Sequence, residues 1–126
     1  MVKRILHDRR RSSRLDIPLK IEQRLSRGGE LLKALSSDIS GNGLRFQLHR
    51  YLKKGEKLRT SIHFPSDPKP VTAVSEVIWC KEKPASGKKM FDAGIKYVKI
   101  IPRDRDRFIF LFCETMINYF MARASK

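Results

Sequence analysis

The feature that most constrains this chain is a change of hydrophobic period near Pro102. Before it, apolar residues recur at every second position in short runs separated by turn formers. After it, they recur at spacings of three and four. Period two puts alternate side chains on one face of a strand, whereas the three-four spacing builds one face of a helix. Leu15, Ile17, Leu19 and Ile21 open the first strand, and Pro18 places it at an edge or a bulge. Arg27-Gly28-Gly29-Glu30 reads as a turn. A second strand over 31–39 ends in the turn formers Asp38-Ile39-Ser40-Gly41-Asn42-Gly43. Leu44, Phe46 and Leu48 mark a third, closed by Lys53-Lys54-Gly55, and Leu58, Thr60, Ile62 and Phe64 mark a fourth. Residues 65–70 hold three prolines and form a loop. Val71, Ala73, Val77 and Trp79 carry a fifth strand, with a phase change near Ser75 that reads as a bulge. Residues 81–89 read as a charged loop, and 91–101 as a sixth strand.

Pro102 suits the first turn of a helix, and Asp104 and Asp106 suit its positive end. Phe108, Leu111, Phe112, Thr115, Met116, Tyr119 and Phe120 supply its apolar face over about 103–122. The expected fold is mainly β: a six-stranded antiparallel barrel with a C-terminal α-helix that plugs an opening or covers a sheet. Because residues 108–113 are apolar all round, a second face against a partner chain is also open. The expected division is a flexible basic arm over 1–14 and one domain over 15–126, with no second domain.

The chain has 126 residues and a formal net charge of +15. That surplus argues for an anionic partner. It is uneven, and the first fourteen residues hold +5 of it, where Lys3, Arg4, Arg9, Arg10, Arg11 and Arg14 face Asp8 alone. Arginine predominates there, and its planar fork suits phosphates and guanine edges where lysine offers only a point charge. No apolar run approaches the roughly 18 residues of a membrane span, and the basic start lacks the apolar core of a secretory signal. Cys80 and Cys113 form no CxxC pair. A reduced, cytoplasmic protein is expected.

Catalytic patterns are absent from the residue spacing. His7, His49 and His63 lie far apart, with no ligand at metal-binding distance in sequence. No GxSxG elbow, Walker loop or GxGxxG follows a strand. The chain therefore reads as a binding module, with no catalytic residue, metal or cofactor. Two short patterns stand out. Arg10-Arg11-Ser12-Ser13-Arg14 is an RxxxR just before the first strand, a spacing that Arg103 and Arg107 repeat at the helix start. Asp38-Ile39-Ser40-Gly41-Asn42-Gly43 is a DxSxxG between the second and third strands. By itself it also fits an Asx-type turn with a glycine at positive φ.

Taken together, in this order and on this layout, the two patterns resemble the PilZ domain family of bacterial cyclic di-GMP receptors. The family's RxxxR matches Arg10 and Arg14, and its [D/N]xSxxG matches Asp38, Ser40 and Gly43. Looser similarities are Leu52 and Gly55 before the fourth strand, Val77-Ile78-Trp79 in the fifth, and Phe91-Asp92-Ala93-Gly94-Ile95-Lys96-Tyr97 in the sixth. The resemblance implies a six-stranded split barrel with a helix over one end. It also implies a nucleotide held between the arginine arm and the DxSxxG surface, with no enzymatic activity.

The residue types fit such a ligand. Guanine offers O6 and N7 acceptors to an arginine fork, so Arg10 and Arg14 are the readers of that edge or of the phosphates. An ionised Asp38 only accepts, which complements the N1–H and N2–H₂ donors. Ser40 can donate or accept, and Gly43 permits a tight turn and close backbone approach. Arg9, Arg11, Gly41 and Lys96 are further candidates, with solvated surface positions the competing reading for the cations. Trp79 is read as core in preference to a base platform. Ligand binding is expected to order the arm and change the surface shown to a protein partner, itself unspecified, and the chain to be a monomer or homodimer. The rivals are a nucleic-acid-binding β-barrel, less favoured for want of exposed aromatics in a row, and a PilZ-like adaptor that binds no nucleotide.

Overall fold

The computed structural model describes residues 14–25 and 29–124. Six strands form: β1 (Lys20–Leu25), β2 (Leu31–Ile39), β3 (Gly43–Leu48), β4 (Lys57–His63), β5 (Val71–Lys83) and β6 (Met90–Ile100). They close into a barrel in the order β1-β2-β3-β6-β5-β4, every pair antiparallel. Helix α1 (Pro102–Ala124) follows. Closure removes the edges that an open sheet of this size would leave unpaired. Ile21, Phe46, Leu58, Ile62, Val71 and Val77 point inward and are almost wholly buried, as their period-two positions require. Gln23, Thr60 and Ser75 are also inside; the Thr60 hydroxyl donates to Gln23 Oε1 at 2.6 Å and lies 2.9 Å from Ser75 Oγ. The expected barrel and helix are the observed ones.

Three details differ from the sequence reading. The first strand begins at Lys20, not Leu15. Leu15 makes a single bridge to Ile39, and Pro18 has no N–H to continue a ladder. The Ser36 hydroxyl fills the gap, accepting from Leu19 N–H at 2.9 Å and donating to the Ile17 carbonyl at 2.7 Å. Leu15 and Leu19 nevertheless join the core. Next, residues 81–83 belong to β5 and not to a loop, pairing with Asp92, Phe91 and Met90. Pairing to β6 extends β5 through this charged segment, whose own residues show no apolar alternation to announce it. Finally, Phe120 faces outward and is 56% exposed, on a flank of α1 shared with Ile109, Phe110, Ile117 and Met121. The basic arm falls outside the described residues except for Arg14.

Inserted residues set which face some side chains occupy. Between β2 and β3, Ser36 pairs with Phe46 but Asp38 pairs with Arg45, leaving Ser37 unpaired. Between β5 and β6, Val77 pairs with Ile95 and Trp79 with Gly94, leaving Ile78 unpaired. A register shift also lies between Val74 and Ser75, where the sequence places a bulge. Its extra residue is Val98 on β6, however, so β5 keeps its period through Val71, Ala73, Ser75 and Val77, all buried.

The helix closes one end of the barrel. Phe108 sets its ring edge-on to Phe64 and Tyr97 and stacks on Phe112, with Leu111 and Thr115 also buried. Its first turn is clamped to the 65–70 loop. Arg107 donates to Asp104 Oδ1 at 2.6 Å and to Asp67 Oδ2 at 3.1 Å, while Asp104 Oδ2 accepts the Thr72 N–H. Burial pushes the Asp104 carboxyl up, but the Thr72 N–H and the Arg107 guanidinium outweigh it and leave it below the ordinary carboxylate range. The Lys69 N–H and Arg107 lower Asp67 too. A carboxyl depressed in the folded state adds stability above its unfolded pKa, near 4, and loses it as pH falls through the lower folded value. Thermal melts from pH 6 to pH 2 should therefore show an acid-labile component in the wild type that Arg107→Met reduces. Equal acid sensitivity in both proteins would remove this cluster from the explanation.

Candidate functional site

The DxSxxG segment forms the β2–β3 turn, and its atoms are largely committed to holding that turn. Ser40 N–H donates to the Gly43 carbonyl at 2.9 Å, and the Ser40 hydroxyl reaches the same oxygen at 3.3 Å. Asn42 N–H donates back to Ser40 Oγ at 3.2 Å. Tyr97 anchors the turn to β6: its N–H donates to the Asn42 carbonyl and its hydroxyl to the Ser40 carbonyl. Burial drives the Tyr97 phenol far above its usual range, so it remains a donor. Ser40 is only 2% exposed, which gives its hydroxyl the role of turn brace.

Gly43 is required for close backbone approach and not for the positive φ of an Asx-type turn, which it does not have. A Cβ there would stand 2.0 Å from the Ile95 carbonyl oxygen and 3.0 Å from the Lys96 Cα. Only glycine allows β3 to start this close to β6. Gly94 is similar, since a Cβ would stand 2.4 Å from Trp79 Nε1 and 2.6 Å from Cε2. The indole thus lies directly on the Gly94 backbone.

Outside the barrel, these features enclose a crevice of about 230 Å³. Arg14, Asn42, Arg45, Trp79 and Lys96 contribute to its walls, with Ser40 and Gly43 at the turn. Arg14 Nη1 donates to Asp38 Oδ1 at 2.7 Å, bringing the two sequence patterns into contact across 24 residues of chain. Arg45 Nε stands 3.1 Å from the other oxygen of Asp38. The Asp38 side chain is 10% exposed, while Arg14 is 51% exposed and free to turn toward solvent. Lys96 is exposed beside the turn, opposite Gly43 in the ladder. Gly41 lies outside this crevice, in a neighbouring groove with Lys99 and Arg105. Arg9, Arg10 and Arg11 fall outside the described residues. The other RxxxR is accounted for by structure, since Arg107 is the helix clamp.

The sequence reading missed Trp79 and Arg45 as members of the site. Trp79 is half-buried on the outer face and is not a core residue. From Val77 inside, period two would send it inward; the extra residue Ile78 turns it out, and Cys80 takes the inward position. Asp38 faces outward by the same device at Ser37. Arg45 was legible, because it alternates with the inward Leu44 and Phe46 and so must share the outer face with Gly43. Among the described residues, no three His, Cys, Asp or Glu side chains are grouped to hold a metal ion, and no helix is long and apolar enough to cross a membrane.

The family model of the PilZ domain matches residues 8–112 of this chain. Among solved structures, the chain is similar to the Bacillus subtilis inhibitor of motility MotI/DgrA, at 23% identity and a TM-score of 0.68, over 88% of this chain and 53% of that one. The PilZ domain of Escherichia coli YcgR with c-di-GMP matches at 17% identity and a TM-score of 0.62, over 89% and 98%. The K. pneumonia MrkH–c-di-GMP complex matches at 15% identity and a TM-score of 0.68, over 94% and 56%. The present chain thus spans about half the length of MotI/DgrA and MrkH. No curated protein sequence matches it significantly. At these identities the structural likeness is one of fold, and with the sequence match to residues 8–112 it leads to one conclusion: the chain belongs to the PilZ domain family.

Proposed function

We propose that this chain is a cytoplasmic, non-enzymatic receptor for cyclic di-GMP whose N-terminal arm orders on the ligand and relays binding to a protein partner. The observation that carries this reading is the 2.7 Å contact between Arg14 and Asp38, which joins the RxxxR and DxSxxG patterns beside one crevice. YcgR and MrkH, its structural relatives, are solved with c-di-GMP. In the proposed complex Asp38 accepts from a guanine N1–H/N2–H₂ edge, and Arg14 and Arg10 take the O6/N7 edge or a phosphate. With the exposed Lys81 ammonium displaced from above its ring, Trp79 offers a face for a base, a contact worth about 1–3 kcal/mol. The crevice is smaller than the roughly 300–1,000 Å³ of a complete ligand pocket, so the arm has to supply the remaining wall.

The magnitudes favour a site built from both halves. Micromolar affinity needs about 8 kcal/mol, and one charge-assisted hydrogen bond contributes about 1.5–3 kcal/mol. An arm alone would lose much of that in being ordered. Isothermal titration at physiological salt should give micromolar or tighter binding of cyclic di-GMP and none of cyclic di-AMP or duplex DNA. Hydrogen exchange over residues 1–20 should slow in the complex. An absence of binding heat with cyclic di-GMP would overturn the receptor reading, and unchanged exchange would overturn the ordering of the arm.

A further inference from the structure

Four charged side chains cross the outer face of the barrel in one row: Arg14, Asp38 on β2, Arg45 on β3 and Asp92 on β6. The Arg14–Asp38 contact is well made. Arg45, by contrast, is held well by neither of its carboxylates. Its Nε is 3.1 Å from Asp38 Oδ2, yet the N–H is not aimed there, and this buried nitrogen makes no hydrogen bond among the described residues. At the other end Nη1 reaches Asp92 Oδ2 at 3.5 Å, the outer limit of a hydrogen bond. Asp92 Oδ1 is buried and also has no partner among the described residues. A buried acceptor of this kind is costly to leave unmade.

No neighbour of Asp92 bonds this oxygen among the described residues. Across the ladder Asp92 faces Gln47 on β3 and Lys81 on β5. The Lys81 ammonium instead sits 5.5 Å above the Trp79 ring. Gly94, directly opposite Arg45, has no side chain to pin the guanidinium on either side. The result is one cation between two carboxylates, each within reach and each incompletely served.

We infer that Arg45 is an exchangeable partner of Asp38 and that Asp92 is its receiving carboxylate. Without ligand, Arg45 shares Asp38. When a guanine donor edge arrives at Asp38 Oδ2, Arg45 moves onto Asp92 and binds both of its oxygens as a fork. This rests on the cyclic di-GMP reading above. Asp92 is then a positioning residue, which acts on the ligand only by drawing Arg45 away from Asp38. A ligand can shift such an equilibrium only by the difference in its interaction with the two settings. A purine without donors on that edge gives Asp38 nothing in exchange for Arg45, so the exchange also selects against adenine.

A double-mutant cycle tests this, using calorimetry with cyclic di-GMP on the full chain. Asp92→Asn keeps the shape but weakens the receiving site, and should lower affinity about tenfold. In an Arg45→Gln background the same substitution should cost less than about twofold, because nothing remains to be moved. No loss in Asp92→Asn, or an equal loss in both backgrounds, overturns the exchange while leaving the receptor reading intact. A wild type that does not bind overturns that reading first. Should Asp92→Asn fail to fold, the wild type supplies the answer through the Arg45 Nε–H resonance, identified by its loss in Arg45→Gln. It should move downfield and exchange more slowly with water on saturation, and a resonance that stays in place overturns the inference.

Discussion

Asp38→Ala should weaken cyclic di-GMP binding at least about 100-fold in calorimetry, because two charge-assisted hydrogen bonds of about 1.5–3 kcal/mol each are at stake. The loss should appear in binding and not in folding. Asp38 pairs with Arg45 on the outer face, and the arginines it leaves behind, Arg14 and Arg45, are half-exposed and can be hydrated. Asp38→Asn keeps one acceptor oxygen but loses the charge, so a milder loss of about tenfold is expected. Asp106→Asn, on the exposed start of α1, is the control and should bind as the wild type. If Asp38→Ala binds within about threefold of wild type, the carboxylate is not reading the base.

Gly43→Ala should damage the fold itself. The added methyl would sit 2.0 Å from the Ile95 carbonyl oxygen, and the contacted atoms are backbone, with no side-chain freedom to give way. The start of β3 must move off β6, breaking the Gly43–Lys96 pairing and displacing the turn that Ser40 and Tyr97 brace. A cost of about 3 kcal/mol or more is expected, which for a domain of this size lowers the melting temperature by roughly 10–15 °C. Gly41→Ala, two residues earlier in the same turn, meets nothing within 4 Å and should melt within about 2 °C of wild type. Equal melting of Gly41→Ala and Gly43→Ala would show that the close approach does not exist in solution.

Much of this architecture was readable in advance because it rests on local patterns. Leu44, Phe46 and Leu48, or Leu58, Thr60 and Ile62, declare an inward face by alternation alone, and the strands they lie on are the observed ones. The change to three-four spacing after Pro102 declares α1 in the same way. Errors came where the controlling contact lies elsewhere in the chain. The ladder before Lys20 is replaced by a hydroxyl from Ser36 on β2. The charged end of β5 is held by pairing to β6, with no apolar residue to signal it. Phe120 matches the helical spacing of its buried neighbours but is exposed.

The site divides similarly. By itself the sequence determined the strand count, the helix, the excess of cations and the presence of Asp38, Ser40 and Gly43 in one turn, since each follows from composition or from residues near one another in the chain. Only the tertiary structure decided that Asp38 and Trp79 face outward, that Arg14 reaches Asp38, and that Arg45 lies between Asp38 and Asp92. The physical reason is register. A strand's alternation is local, but one unpaired residue, Ser37 against β3 or Ile78 against β6, reverses the face of everything beyond it, and that choice is made by the opposing strand.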